Sequence, residues 1–203
     1  MKKAVVYIHG KGGSPAEAEQ FRSLFEDSEI IGFDYRSDTP WDAKTEFFAF
    51  FEPLKSRFSS VTLIANSIGA FLAMCALTER QVDRAFFISP VVDLKKMIED
   101  MMRWTGVDKE GLRARGTIPT RVGETLSWNY YTYVCEHPVE WKVPTEILYG
   151  GRDLLIDRET VTAFAEKHRA NLTVMEAGEH WFHTEEQLRF LKDWIKEKAE
   201  GRA

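Results

Sequence analysis

Six short apolar runs alternate with longer segments of helical period along nearly the whole chain, and that alternation admits few folds. The runs cover residues 4–9, 29–34, 61–66, 84–89, 145–149 and 171–175. Several are apolar at almost every residue instead of every second one, the pattern of parallel strands covered on both faces. The segments between them carry helix-start signals. Ser14-Pro15-Ala16-Glu17 is a capping box with proline in the first helical turn. Thr39-Pro40 opens a segment in which Phe47, Phe48, Phe51, Leu54 and Phe58 recur three and four residues apart. Asp157 caps a helix running to about residue 168, and Thr184-Glu185-Glu186-Gln187 is a second capping box before Leu188, Leu191, Trp194 and Ile195. Repeated strand–helix alternation predicts a mostly parallel sheet of about six strands between two helical layers.

At 203 residues the chain suits one domain spanning residues 1–203 and is short for two. A net charge of −5 gives no electrostatic reason to expect nucleic acid or an anionic membrane as a partner. No run approaches membrane-spanning length, and the apolar run after Met1-Lys2-Lys3 is too short for a signal-peptide core. Cys75 and Cys135 match no metal or redox spacing, so two reduced, buried thiols in a cytoplasmic protein are expected. Neither a metal nor an organic cofactor is implied, and oligomeric state is not encoded in any visible pattern.

The alternation stops between Pro90 and Pro144, where no strand is expected. Leu94, Met97, Ile98 and Met101 predict a helix, 105–116 a Gly- and Arg-rich loop, and 120–135 a second helix. This insertion, about 92–143, holds Trp104, Trp128, Tyr130, Tyr131, Tyr133 and Trp141, half of the six Trp and half of the six Tyr. An aromatic insertion following a core strand is expected to act as a lid, with Trp104, Trp128 and Tyr131 lining a substrate pocket. The alternative is that these rings fill the insertion's own small core.

The chemistry is concentrated at the ends of the strand candidates. Ala65-Asn66-Ser67-Ile68-Gly69-Ala70 joins the run Val61-Thr62-Leu63-Ile64 to a helix-compatible segment, placing a serine between small residues at a strand-to-helix reversal. Large side chains two positions either side would collide there, and the serine would protrude beside helix N-terminal amides. A plain helix cap is the competing explanation for Ser67. A serine hydroxyl needs a base, and the base needs an orienting partner. Asp153, in the loop Gly150-Gly151-Arg152-Asp153, is the candidate acid, since Asp157 has a capping job. His180, in the loop Glu176-Ala177-Gly178-Glu179-His180, is the candidate base, with His183 as its alternative. An anion site would take the backbone N–H of Ile68 and a second from the turn His9-Gly10-Lys11-Gly12-Gly13-Ser14, from Lys11 or, failing that, Gly12. That turn lacks the G-x-x-x-x-G-K-[ST] order of a phosphate loop. His9 is expected to brace it.

With the His9-Gly10 turn, the Ser67 elbow and the loops of Asp153 and His180 in the order serine, acid, histidine, the chain resembles a compact member of the α/β-hydrolase superfamily. Two departures stand out. Ala65 replaces the usual first glycine of the elbow, and the two N-terminal antiparallel strands of larger relatives have no counterpart here. The resemblance implies a serine hydrolase of carboxylic esters or thioesters acting on small-molecule substrates. Acyl transfer, peptide cleavage, or a non-catalytic binding module on the same scaffold are the alternatives.

Overall fold

The computed structural model describes residues 2–120 and 124–201. The chain divides into two compact units, Met1–Val92 with Glu140–Ala203, and Asp93–Val139.

In the first unit every predicted run is a strand: β1 (Lys3–Ile8), β2 (Ser28–Gly32), β3 (Val61–Asn66), β4 (Arg84–Ile88), then, beyond the inserted unit, β7 (Thr145–Gly150) and β8 (Asn171–Met175). They form a six-stranded sheet in the order β2-β1-β3-β4-β7-β8, every pair parallel. All carboxyl ends therefore lie along one edge, and the order reverses direction between β1 and β3. Open parallel sheets place their chemistry at such a point.

Both faces are covered, as the unbroken apolar runs require. On one face Val5, Tyr7, Ile64, Phe86 and Leu148 pack against Phe21 of a 3-10 helix (Pro15–Leu24) and Leu191, Trp194 and Ile195 of α8 (Glu185–Glu200). Trp194 meets Phe86 edge-on, with ring centroids 5.7 Å apart. On the other face α1 (Pro40–Phe51) packs against α3 (Ile68–Ala76), and Phe33, just beyond β2, sits among the rings of Phe47, Phe50 and Phe51. The helix α7 (Arg158–His168) packs against β7 and β8. Trp141, expected within the insertion, belongs to this unit; it is buried 5.5 Å from the ring of Phe87 and donates its indole N–H to Thr145.

Several local expectations need revision. The Ser14 capping box forms, but it starts a 3-10 helix. The run of phenylalanines after Thr39 is broken at Pro53, which removes a helical donor, so Leu54 opens a separate single turn, α2 (Leu54–Arg57). Phe48 points outward and is 49% exposed. Thr184 caps α8, yet the Gln187 side chain accepts from the N–H of His183 instead of Thr184, so that box does not close.

The second unit contains α4 (Leu94–Thr105), α5 (Lys109–Arg115), the short antiparallel pair β5 (Thr117–Pro119) and β6 (Thr125–Ser127), and α6 (Trp128–Glu136). The expected absence of strands was wrong here, as was the loop 105–116, which is largely helix α5 capped by Asp108. The helix expected over 120–135 begins only at Trp128; residues 121–123 of that expectation lie outside the described residues. Leu94, Ile98, Met101, Met102, Leu112, Leu126, Tyr131 and Val134 are the buried apolar residues among those described in this unit. Cys135 is exposed on α6, against the expectation of a buried thiol. Cys75 is partly buried, and burial pushes its thiol up to about 12. Among the described residues no helix is long and apolar enough to cross a membrane.

Candidate active site

Ser67 follows β3 directly and precedes α3, and its backbone holds φ 51°, ψ −122°, a conformation that costs a non-glycine residue on the order of 1–3 kcal/mol. The surrounding backbone over-determines it. The Ser67 N–H donates to the Ile88 carbonyl (3.0 Å), and the Ser67 carbonyl accepts from Ala70 N–H and Val91 N–H, both at 3.1 Å. The small residues around it have a steric reason. Ala65 is fully buried, and a Cβ on Gly69 would lie 2.4 Å from the carbonyl oxygen of His9 and 2.8 Å from the Ile8 side chain. The Ser67 side chain makes no capping hydrogen bond, which removes the plain-cap explanation. Its Oγ lies 2.9 Å from Nε2 of His180.

His180 comes from the loop after β8, and Asp153 from the loop after β7. The two loops lie against each other because glycines leave room for backbone contact: a Cβ on Gly150 would be 2.4 Å from the Glu179 carbonyl, and one on Gly151 2.8 Å from the Glu176 carbonyl. Gly151 N–H donates to the Met175 carbonyl and Arg152 N–H to the Gly178 carbonyl, each at 2.8 Å. This contact brings Asp153 Oδ2 within 2.6 Å of His180 Nδ1. The other carboxylate oxygen, Oδ1, accepts from Leu155 N–H (2.8 Å) and Ile156 N–H (3.1 Å), and the side chain is wholly shielded from solvent. A carboxylate at Nδ1 assigns the ring proton to that nitrogen. Nε2 is then left to accept from the Ser67 hydroxyl.

The other candidates separate cleanly. Asp157 caps α7 through Thr160 N–H. His183 is exposed, with Nδ1 on the Trp181 carbonyl, and takes no part in the constellation. His9 stacks on Tyr35 with ring centroids 4.5 Å apart, and the Tyr35 hydroxyl donates to the His9 carbonyl at 2.8 Å. The glycine turn after β1 is closed by Gly13 N–H to the Gly10 carbonyl, with Gly12 at φ 73°. It abuts the serine: a Cβ on Gly10 would stand 3.1 Å from Ser67 Cβ. Lys11 is the next residue in this turn. Ile68 is the first residue of α3, whose opening amides have no acceptor inside the helix. Trp104, Trp128 and Tyr131 all lie in the second unit. Trp104 is exposed; Trp128 and Tyr131 lie 5.7 Å apart, and the Tyr131 hydroxyl donates to Glu99.

Two contributors carry no sequence signal. Ser89, just after β4, is fully buried at φ 43° and sits between Ile88 and Val91, two of the three residues that hold the Ser67 backbone. Tyr35 reaches the His9 turn from 26 residues away.

The elbow's geometry makes a direct prediction. Gly69→Ala sets a methyl against backbone, so either α3 or the end of β1 must move. Overpacking of this kind costs about 1–3 kcal/mol, which in a chain of this size lowers the thermal midpoint by roughly 5 °C. Thermal unfolding followed by circular dichroism should show that drop, and a midpoint equal to the parent's would mean that the elbow accepts the methyl without strain.

No protein-family model matches this chain, and no curated protein matches its sequence. Solved structures do match its fold. Est1E from Butyrivibrio proteoclasticus superposes with a TM-score of 0.73 at 16% identity, covering 98% of this chain and 86% of that one. Alpha/beta hydrolase domain-containing protein 10 from mouse gives a TM-score of 0.77 at 15% identity, covering 98% and 90%. The Pyrococcus furiosus esterase Pf2001 gives 0.63 at 20% identity, covering 98% and 81%.

Proposed function

We propose that this chain, which has the α/β-hydrolase fold, is a serine hydrolase cleaving carboxylic esters or thioesters through an acyl-enzyme on Ser67. The observation that carries the proposal is the continuous hydrogen-bonded line from Ser67 Oγ to His180 Nε2 (2.9 Å) and from His180 Nδ1 to Asp153 Oδ2 (2.6 Å). As Ser67 Oγ bonds to the substrate carbonyl carbon, its proton passes to His180 Nε2. The carbonyl oxygen becomes an oxyanion, for which the Ile68 and Lys11 amides are the proposed donors. When the tetrahedral intermediate collapses, the alcohol or thiol leaves with the proton from His180. Water then attacks the acyl carbon, gives a proton to His180, and Ser67 recovers it as the acid departs. Asp153 holds the ring in place throughout and stabilises the imidazolium.

The substrate proposal is for small molecules with apolar or aromatic acyl or alcohol groups. It gains support from Est1E, one structure of which has ferulic acid, an aromatic carboxylic acid, bound. The test is a series of nitrophenyl esters of rising acyl length and an aromatic member. A kcat/KM that varies at least about tenfold across the series supports a shaped apolar site. Equal values throughout contradict it, and no hydrolysis of any member contradicts the esterase reading.

A further inference from the structure

We propose that Tyr7 and Glu17 are positioning residues that hold the glycine turn in register with Ser67, so that its amides face the oxyanion; this rests on the serine-hydrolase reading. Tyr7 lies on β1, two residues before the turn, with 2% of its surface exposed and its ring 5.4 Å from that of Phe21. Its hydroxyl donates to Glu17 Oε2 at 2.6 Å. The other carboxylate oxygen, Oε1, accepts from the N–H of Ser14, the residue that ends the turn, at 3.0 Å. One carboxylate therefore joins the strand that enters the turn to the residue that leaves it.

A capping box explains only half of this arrangement. Capping satisfies the Ser14 N–H with one glutamate oxygen and the Ala16 N–H with the Ser14 hydroxyl. It makes no use of a second oxygen on a buried tyrosine. Burial, with the nearby Glu17 carboxylate adding to it, drives the Tyr7 hydroxyl far above the ordinary tyrosine range, so it remains a protonated donor. The carboxylate also lies directly behind the turn: a Cβ on Gly13 would stand 3.0 Å from Glu17 Oε1 and 3.0 Å from the His9 side chain. On the other side the Tyr35 hydroxyl fixes the His9 carbonyl, and Gly10 abuts Ser67. The turn itself is rich in glycine and exposed at Lys11 and Gly12, so its own residues supply little stiffness. An oxyanion site acts through donors fixed before the charge appears, and stiffness must be imported.

The test compares Tyr7→Phe, Glu17→Ala and Glu17→Gln with the parent on a nitrophenyl ester, and measures inhibition by benzeneboronic acid, a mimic of the tetrahedral adduct. Tyr7→Phe and Glu17→Ala should lower kcat by about tenfold or more, within the range for a displaced oxyanion donor, with KM within about twofold. Boronate affinity should fall by the same factor as kcat. Glu17→Gln, which keeps an acceptor for Ser14 and a partner for Tyr7, should lie nearer the parent than Glu17→Ala. Folded variants with parental kcat, or losses confined to KM, overturn the proposal, as does an unchanged boronate affinity. If Glu17→Ala fails to fold, Tyr7→Phe decides alone, because it keeps the ring against Phe21. Its failure to fold assigns the pair a purely structural role. A parent that neither hydrolyses the ester nor binds the boronate rejects the serine-hydrolase reading and this inference with it. An active parent with unchanged variants rejects only the inference.

Discussion

Replacing Ser67 by alanine lowers kcat on p-nitrophenyl acetate by a factor on the order of 10⁶ while leaving the fold intact. The two halves of this expectation come from different parts of the residue. The side chain contributes one hydrogen bond, to His180, and none to helix α3. The backbone bonds to Ile88, Ala70 and Val91 do not involve it, so they survive the substitution. Circular dichroism and the thermal midpoint should match the parent within a few degrees. Ser67→Gly sharpens the separation. It is equally inactive, but it adopts φ 51° without the cost of a side chain, and its thermal midpoint should equal or exceed that of the alanine variant. Hydrolysis by either variant at the parental rate would assign the chemistry to another group.

Asp153→Asn is expected to cost about 10⁴ in kcat, through a change of tautomer and not of shape. Oδ1 already accepts from Leu155 and Ile156 N–H, so the asparagine carbonyl oxygen takes that side. The amide NH₂ then faces His180 Nδ1, which must accept instead of donate. The ring proton moves to Nε2 and points at the serine oxygen, and a nitrogen that already holds a proton cannot remove another. KM should change little and the thermal midpoint should stay near the parent's. A loss below about tenfold would show that the carboxylate does not set the tautomer.

The sheet and the three side chains at its carboxyl edge were legible because each has a local cause. Parallel strands buried on both faces leave unbroken apolar runs, and five of the six predicted runs match their strands to within one residue at each end. The exception, 29–34, runs past β2 (Ser28–Gly32) because Phe33 continues the apolar pattern into the core after pairing has ended. Ser67 shows itself through the small residues its turn demands, and Asp153 and His180 through loops that follow strands. The second unit was misread where local signals are weak. Helix α5 has Leu112 as its one buried residue and carries Gly111, so no apolar period announces it. Strands β5 and β6 are three residues long, and Pro119 argues against a strand. The contacts that pin the turn were invisible for another reason. Tyr7 and Glu17 meet only because the 3-10 helix folds back over β1, and Tyr35 reaches His9 only because β2 pairs with β1. The strain at Ser89 likewise depends on its place between β4 and the elbow, not on its neighbours in sequence.

Covalent labelling reports whether His180 activates the Ser67 hydroxyl. The protein is exposed to a fluorophosphonate probe, digested, and the adduct located by mass spectrometry. The predicted result is a single phosphonyl group on Ser67 in the parent, and labelling slowed by at least about a hundredfold in folded His180→Ala. An adduct on any other residue, or equal labelling rates in the two proteins, would contradict the account, as would a folded parent that takes no label.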